Sequence, residues 1–162
     1  MGLGTIAHGR FRFLHFRHDP VTGLILPEPY KVEEGENSYV NAGGVAWLNL
    51  IIGAGGTAFN NANAYIGVGD NSAATTATMT DLQAATNKVR AAMDATYPIL
   101  TSQTMTWQAT FGPGVAEWGT GIQEGALFNA AAAGTMAARI VQNQGVKASS
   151  TTLKIQYTVH IP

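Results

Sequence analysis

The stretch Tyr65-Ile66-Gly67-Val68-Gly69-Asp70-Asn71-Ser72 runs a short apolar segment into a glycine turn, an arrangement that can cradle a phosphate. A dinucleotide fingerprint needs a third glycine opening a helix, and that position holds Ser72, followed by small residues with no amphipathic pattern. A phosphate loop needs a lysine beside the glycines, and no lysine lies between Lys31 and Lys88. Residues 69–72 therefore read as a turn in which Asp70 bonds the backbone. His8, His15 and His18 fall near Asp19 without the spacing of a zinc site. His160 lies on the polar face of the last alternating segment, and no Gly-x-Ser-x-Gly elbow accompanies it. Glu117 and Glu124 have no evident acidic partner, and Asp70-Asn71 lacks the spaced oxygen ligands of a calcium loop. The expectation is a protein without enzymatic activity, cofactor or metal. Among the aromatics, Trp107 belongs to an apolar strand face and reads as core. Trp118, between Glu117 and Gly119, reads as exposed or interfacial.

The elements that must position these groups are mainly strands. From Thr101 to Phe111, Met105, Trp107, Ala109 and Phe111 alternate with Thr104, Thr106, Gln108 and Thr110. From Thr152 to Ile161, Leu153, Ile155, Tyr157, Val159 and Ile161 alternate with Lys154, Gln156, Thr158 and His160. Weaker strands read at 65–68, 122–128 and 136–141, separated by glycine-rich breaks. Strands with one wet face belong to antiparallel sheets. The expected fold is mainly β, an antiparallel β-sandwich or jelly-roll-like domain with one or two short helices. One buried helix is expected over 37–56, with Asn37, Ser38 or Asn41 as cap and Gly53 as stop. A second is expected over 80–94, or a short helical turn followed by a strand from Lys88.

Residues 1–36 read as an extended N-terminal arm ahead of a β-rich core domain at 37–162, the alternative being an edge strand and loop of that same domain. "GRFRFLHFR" alternates Arg10 and Arg12 with Phe11 and Phe13, and Pro20, Pro27 and Pro29 interrupt the chain beyond it. Arg10, Phe11, Arg12, Phe13, Phe16 and Arg17, together with Trp118, are the expected partner-binding residues. Deleting residues 1–36 is then expected to leave a folded domain that fails to incorporate into its assembly.

Composition bears on partners. Of 162 residues, 46% are apolar but only 12% charged, about half the share usual in soluble proteins. The net charge of −1 argues against a general nucleic-acid binder. The longest apolar run, 43–52, is too short to span a bilayer and carries Asn49, so no membrane partner is expected. The first residues lack the charged-then-apolar order of a signal peptide. With no cysteine, neither disulfides nor thiolate metal sites arise. A surface of Thr, Asn, Gln and Ser loses little hydration on contact, and interface centres are depleted of charge.

"GGTAFNNANAYIGVGDNSAATTATMTDLQAATNKVRAAMDATYP", "TWQATFGPGVAEWGTGIQEGALFNA", "AAGTMAARIVQNQGVKA" and the closing alternating strand together resemble small virion structural proteins of tailed bacteriophages. The resemblance spans residues 57–162 and is confined to "GENSYVNAG" before them. It implies a virion location and a non-catalytic role. That role is a capsid decoration (cement) protein, self-associating as trimers and bound to the major capsid protein or other virion proteins. The alternative within the particle is a tail, fibre or baseplate component. The alternative of another class is a carbohydrate-binding module using Trp118.

Overall fold

Every second residue of Thr104–Phe111 is apolar, and in the structure Trp107, Ala109 and Phe111 are buried while the Thr and Gln between them are half-exposed. The structure, a computed structural model, describes residues 8–161, with the side chain of His8 outside that description. The elements in chain order are β1 (His8–Arg17), β2 (Lys31–Glu36), β3 (Ser38–Tyr39), α1 (Asn41–Ile51), β4 (Tyr65–Gly69) and β5 (Lys88–Ala92). They continue with β6 (Ile99–Thr101), β7 (Thr104–Phe111), β8 (Ile122–Phe128), β9 (Met136–Gly145) and β10 (Thr151–His160).

Among the described residues the strands form two five-stranded antiparallel sheets, ordered β2-β1-β10-β7-β6 and β3-β9-β8-β4-β5. The expected β-sandwich is thus the observed fold class. Phe11 and Phe13 of β1, Phe111 of β7 and Ile155 and Tyr157 of β10 form one wall of the core. Ile66 and Val68 of β4, Leu127 of β8 and Ile140 of β9 face them from the other sheet. Phe11 and Trp107 flank Tyr157 with ring centroids 4.7 and 5.6 Å away.

The arm is corrected. His8–Arg17 pairs along its whole length with β10, from His8 opposite His160 to Arg17 opposite Thr151, and β2 closes its other side. Its period-two pattern is that of an inner strand, and Phe11 and Phe13 are fully buried. β1 and β2 are strands of the first sheet, and Phe11 and Phe13 belong to the core, which accords with the alternative of a strand and loop of the same domain; the part of the expected arm at 1–7 lies outside the described residues.

Both helix expectations shift. The helix is α1, whose N-cap is Val40 with no side-chain cap; the first amide, Asn41 N–H, donates instead to the Ala77 carbonyl at 2.8 Å. Gly53, at φ 71°, follows the C-terminus as expected. The helix is not buried all round: Gly43 touches β9 and Trp47 packs on the core, while Val45, Leu48, Ile51 and Ile52 are exposed. Residues 80–94 are not a helix. Lys88–Ala92 pairs with β4 as the edge strand β5, in line with the alternative that started a strand at Lys88.

Candidate functional site

At one end of the sandwich the first sheet and α1 diverge around a cleft of about 560 Å³. Its floor is aromatic: Trp107 on β7, Phe59 after the helix and Trp47 on α1. Trp47 stacks on Trp107 with centroids 6.2 Å apart and planes 22° off parallel. The Trp107 indole N–H donates to the Phe59 carbonyl at 2.7 Å, so the polar edge of that ring is already satisfied. Leu50 and Ile51 of α1, Leu100 of β6, Met105 of β7, and Val159 with Ile161 complete the walls. Among the described residues, none that lines the cleft is Asp, Glu, His, Lys or Arg. The cleft can therefore take up apolar surface, with Asn60, Ser102 and Gln103 as its polar lining residues. Its volume falls within the range of about 300–1,000 Å³ common for binding pockets.

The opposite face of the second sheet is covered by residues 70–87, a segment without regular structure. Two buried charges hold it. Arg139 Nε donates to Glu124 Oε2 at 2.7 Å, and both side chains are fully buried. Arg139 Nη1 also donates to the Ala73 carbonyl at 2.8 Å and to Thr75 Oγ1 at 2.9 Å. The Glu124 carboxylate accepts the backbone N–H groups of Gln83 and Ala84 at 3.0 and 2.8 Å. Leu82 drops from this strap onto Ala126, Phe128 and Met136. Arg90 lies 3.5 Å over the Phe128 ring and donates to Asp81 at 2.8 Å. Burial pushes the Asp81 carboxyl up, but Lys88 and Arg90 outweigh it and hold the group below its ordinary range. These contacts secure a surface segment, and Asp81, Lys88 and Arg90 also line an open pocket of about 260 Å³ with Ala131, Ala132 and Ala133.

The glycine segment that ends β4 bends at Asp70, but the residue that bonds the backbone there is Asn71, whose Oδ1 accepts Ala73 N–H at 2.8 Å, and not Asp70 as expected. Asp70 accepts Asn87 Nδ2 and Thr120 Oγ1, each at 2.8 Å, and these hydrogen bonds keep its carboxyl low. The expected partner-binding residues are split by the sheet. Arg10 and Arg12 point outward, and both contact Glu34 of β2, at 3.1 and 3.0 Å. Arg17 covers the Tyr30 ring at 4.7 Å. Phe11 and Phe13 face inward and cannot meet a partner in the folded chain. Phe16 lies on the opposite face of β1, where it is buried with Lys154 Nζ 5.4 Å from its ring centroid. Trp118 is half-buried against the core, not an exposed platform. Of the histidines, His15 is buried against Gln144 at 3.2 Å, and His18 contacts Thr152 at 2.8 Å. Glu117 accepts from Lys147 at 3.2 Å, a partner from the loop after β9.

Sequence reasoning missed the cleft because its lining comes from α1, the loop at 58–60, β6, β7 and the end of β10 with Ile161 after it. One signal was present: the run 43–52 is apolar without a polar face, too much for a helix that buries only one side. The Glu124–Arg139 pair was missed because fifteen positions separate its members across the β8–β9 hairpin. The chain matches no protein-family model, and no curated protein or solved structure matches it.

Proposed function

We propose that this chain is a non-enzymatic structural protein of a tailed-bacteriophage particle, a capsid decoration protein that self-associates and binds the shell. One observation carries the reading: large apolar side chains stand in solvent, with Val21 in the turn between β1 and β2 at 91% and Ile51 at the end of α1 at 80% exposure. On a chain with only 12% charged residues, such groups suit contact with neighbouring protein. The resemblance of residues 57–162 to small virion proteins supports the same reading. A tail or baseplate location would use the same surfaces, and copy number separates the two.

The test is quantitative mass spectrometry of purified particles produced from the genome that encodes the chain. A decoration protein is present in proportion to the capsomers of the shell, and a baseplate or fibre component in a small fixed number. Particles that lack the chain refute the reading. The carbohydrate-binding alternative has less support, because Trp118 is half-buried and packed against the core.

A further inference from the structure

The turn between β1 and β2 is apolar where turns are ordinarily polar. Residues 20–27 read Pro-Val-Thr-Gly-Leu-Ile-Leu-Pro without a charge. Val21 and Leu24 at its tip are 91% and 70% exposed. The turn is nevertheless tightly built. The Asp19 carboxylate accepts the N–H groups of Val21 and Thr22 at 2.9 and 2.7 Å. Gly23 N–H donates to the Asp19 carbonyl, and Asp19 N–H donates to the Leu24 carbonyl, both at 2.8 Å. Leu26 N–H donates to the Arg17 carbonyl at 2.9 Å and ties the turn to β1. A knob fixed in this way loses little conformational freedom on docking.

The cleft lies at the other end of the same sheet. Arg17, where the knob begins, pairs with Thr151 at the start of β10, whereas Val159 and Ile161 of the cleft stand at its finish. A ten-residue strand therefore separates them, roughly 30 Å at the rise of an antiparallel strand. One end presents exposed Val21 and Leu24, with the Asp19 carboxylate turned onto the backbone amides beneath them; the other is an apolar cleft with no charged residue in its lining.

We propose that copies of this chain associate head to tail, the Val21–Leu26 knob of one copy entering the Trp47–Trp107 cleft of the next. The second copy is the occupant because the chain itself carries an ordered apolar knob that matches the cleft in chemistry and opposes it in position. Two different patches on opposite ends make a heterologous contact, which closes into a ring or continues as a filament. This deepens the assembly reading above by naming the contact through which the protein self-associates.

The test measures the mass of the full chain in solution by analytical ultracentrifugation over a concentration series. Wild type is expected to grow past dimer, either levelling at a ring or continuing to rise. Leu24→Asp removes the knob and Leu100→Asp, at a position 65% exposed, spoils the cleft; Val21→Asp is a second knob variant. Each is expected to be monomeric, with an unchanged circular dichroism spectrum and melting temperature. Mixing the L24D and L100D variants leaves one intact knob and one intact cleft, so the mixture is expected to form a dimer and stop there. A monomeric wild type, a variant that assembles like wild type, or a mixture that stays monomeric would overturn the head-to-tail contact. A chain found in particles but monomeric alone sinks this contact and leaves the particle reading standing. Absence from particles does the reverse.

Discussion

Arg139 Nε donates to Glu124 Oε2 at 2.7 Å between two side chains that no solvent reaches, and this pair anchors the strap at 70–87. Their remaining hydrogen bonds go to strap backbone and to Thr75 Oγ1, so the pair couples β8 and β9 to a segment some forty to sixty-six residues away in sequence. Taking two charges out of water is costly, and the cost is offset only while both partners stay in place.

Removing one partner therefore costs more than removing both. Arg139→Met strands a buried carboxylate and is expected to destabilise the fold by about 3–5 kcal/mol. Combining it with Glu124→Gln, which removes the stranded charge and keeps an acceptor oxygen for one of the two strap amides of Gln83 and Ala84, is expected to recover part of that loss. Urea denaturation of the two variants checks the order.

Neighbouring glycines of α1 should respond with opposite signs. A Cβ on Gly43 would collide with the Ala137 backbone of β9, whereas one on Gly44 meets open space. Gly43→Ala is expected to lower the melting temperature by prising the helix from the sheet. Gly44→Ala is expected to stabilise by about 0.5–1 kcal/mol, since alanine loses less backbone freedom in a helix. Thermal unfolding of both variants decides it.

Residues 8–36 are expected to be indispensable to folding. Phe13→Ala is expected to cost about 3–5 kcal/mol by opening a cavity in the core. Deleting residues 1–36 strips β1 from β10 and removes Phe11 and Phe13, leaving a chain without cooperative unfolding. A folded truncated domain, seen by circular dichroism and a sharp melt, would contradict this.

His15 gives the fold a weak pH dependence. Burial is the main cause holding its imidazole below the ordinary value of 6.5, and the nearby Lys31 acts in the same direction. Gln144 and Glu33 oppose them. The folded state then binds the proton less readily than the unfolded state. The contribution is complete above 6.5 and is lost as pH falls from there through the lowered folded value. His15→Gln, which cannot take up this proton, is expected to flatten the decline in melting temperature between about pH 7 and 5.

The β patterns of Thr104–Phe111 and Thr151–His160 were legible because alternation with period two is a local property that one buried face imposes. The same pattern was equally plain in His8–Arg17, yet it could not tell an inner strand from an arm. That depends on finding β10, more than a hundred residues downstream, as the partner. Residues 80–94 carried a helical spacing of Leu82, Ala85, Val89 and Met93, and pairing of Lys88–Ala92 with β4 decided for the alternative of a strand from Lys88.

By itself, the sequence determined that this chain builds antiparallel sheets, carries little charge and lacks the spacings of known phosphate, zinc and elbow motifs. Alternation, composition and motif spacing are readable within a short window of chain. Only the tertiary structure decided that Glu124 meets Arg139, that Phe11 and Phe13 are core, and that an apolar cleft and an apolar knob occupy opposite ends. Each of those facts depends on which distant strands pair and in what register, and pairing is settled by the burial of the whole core together.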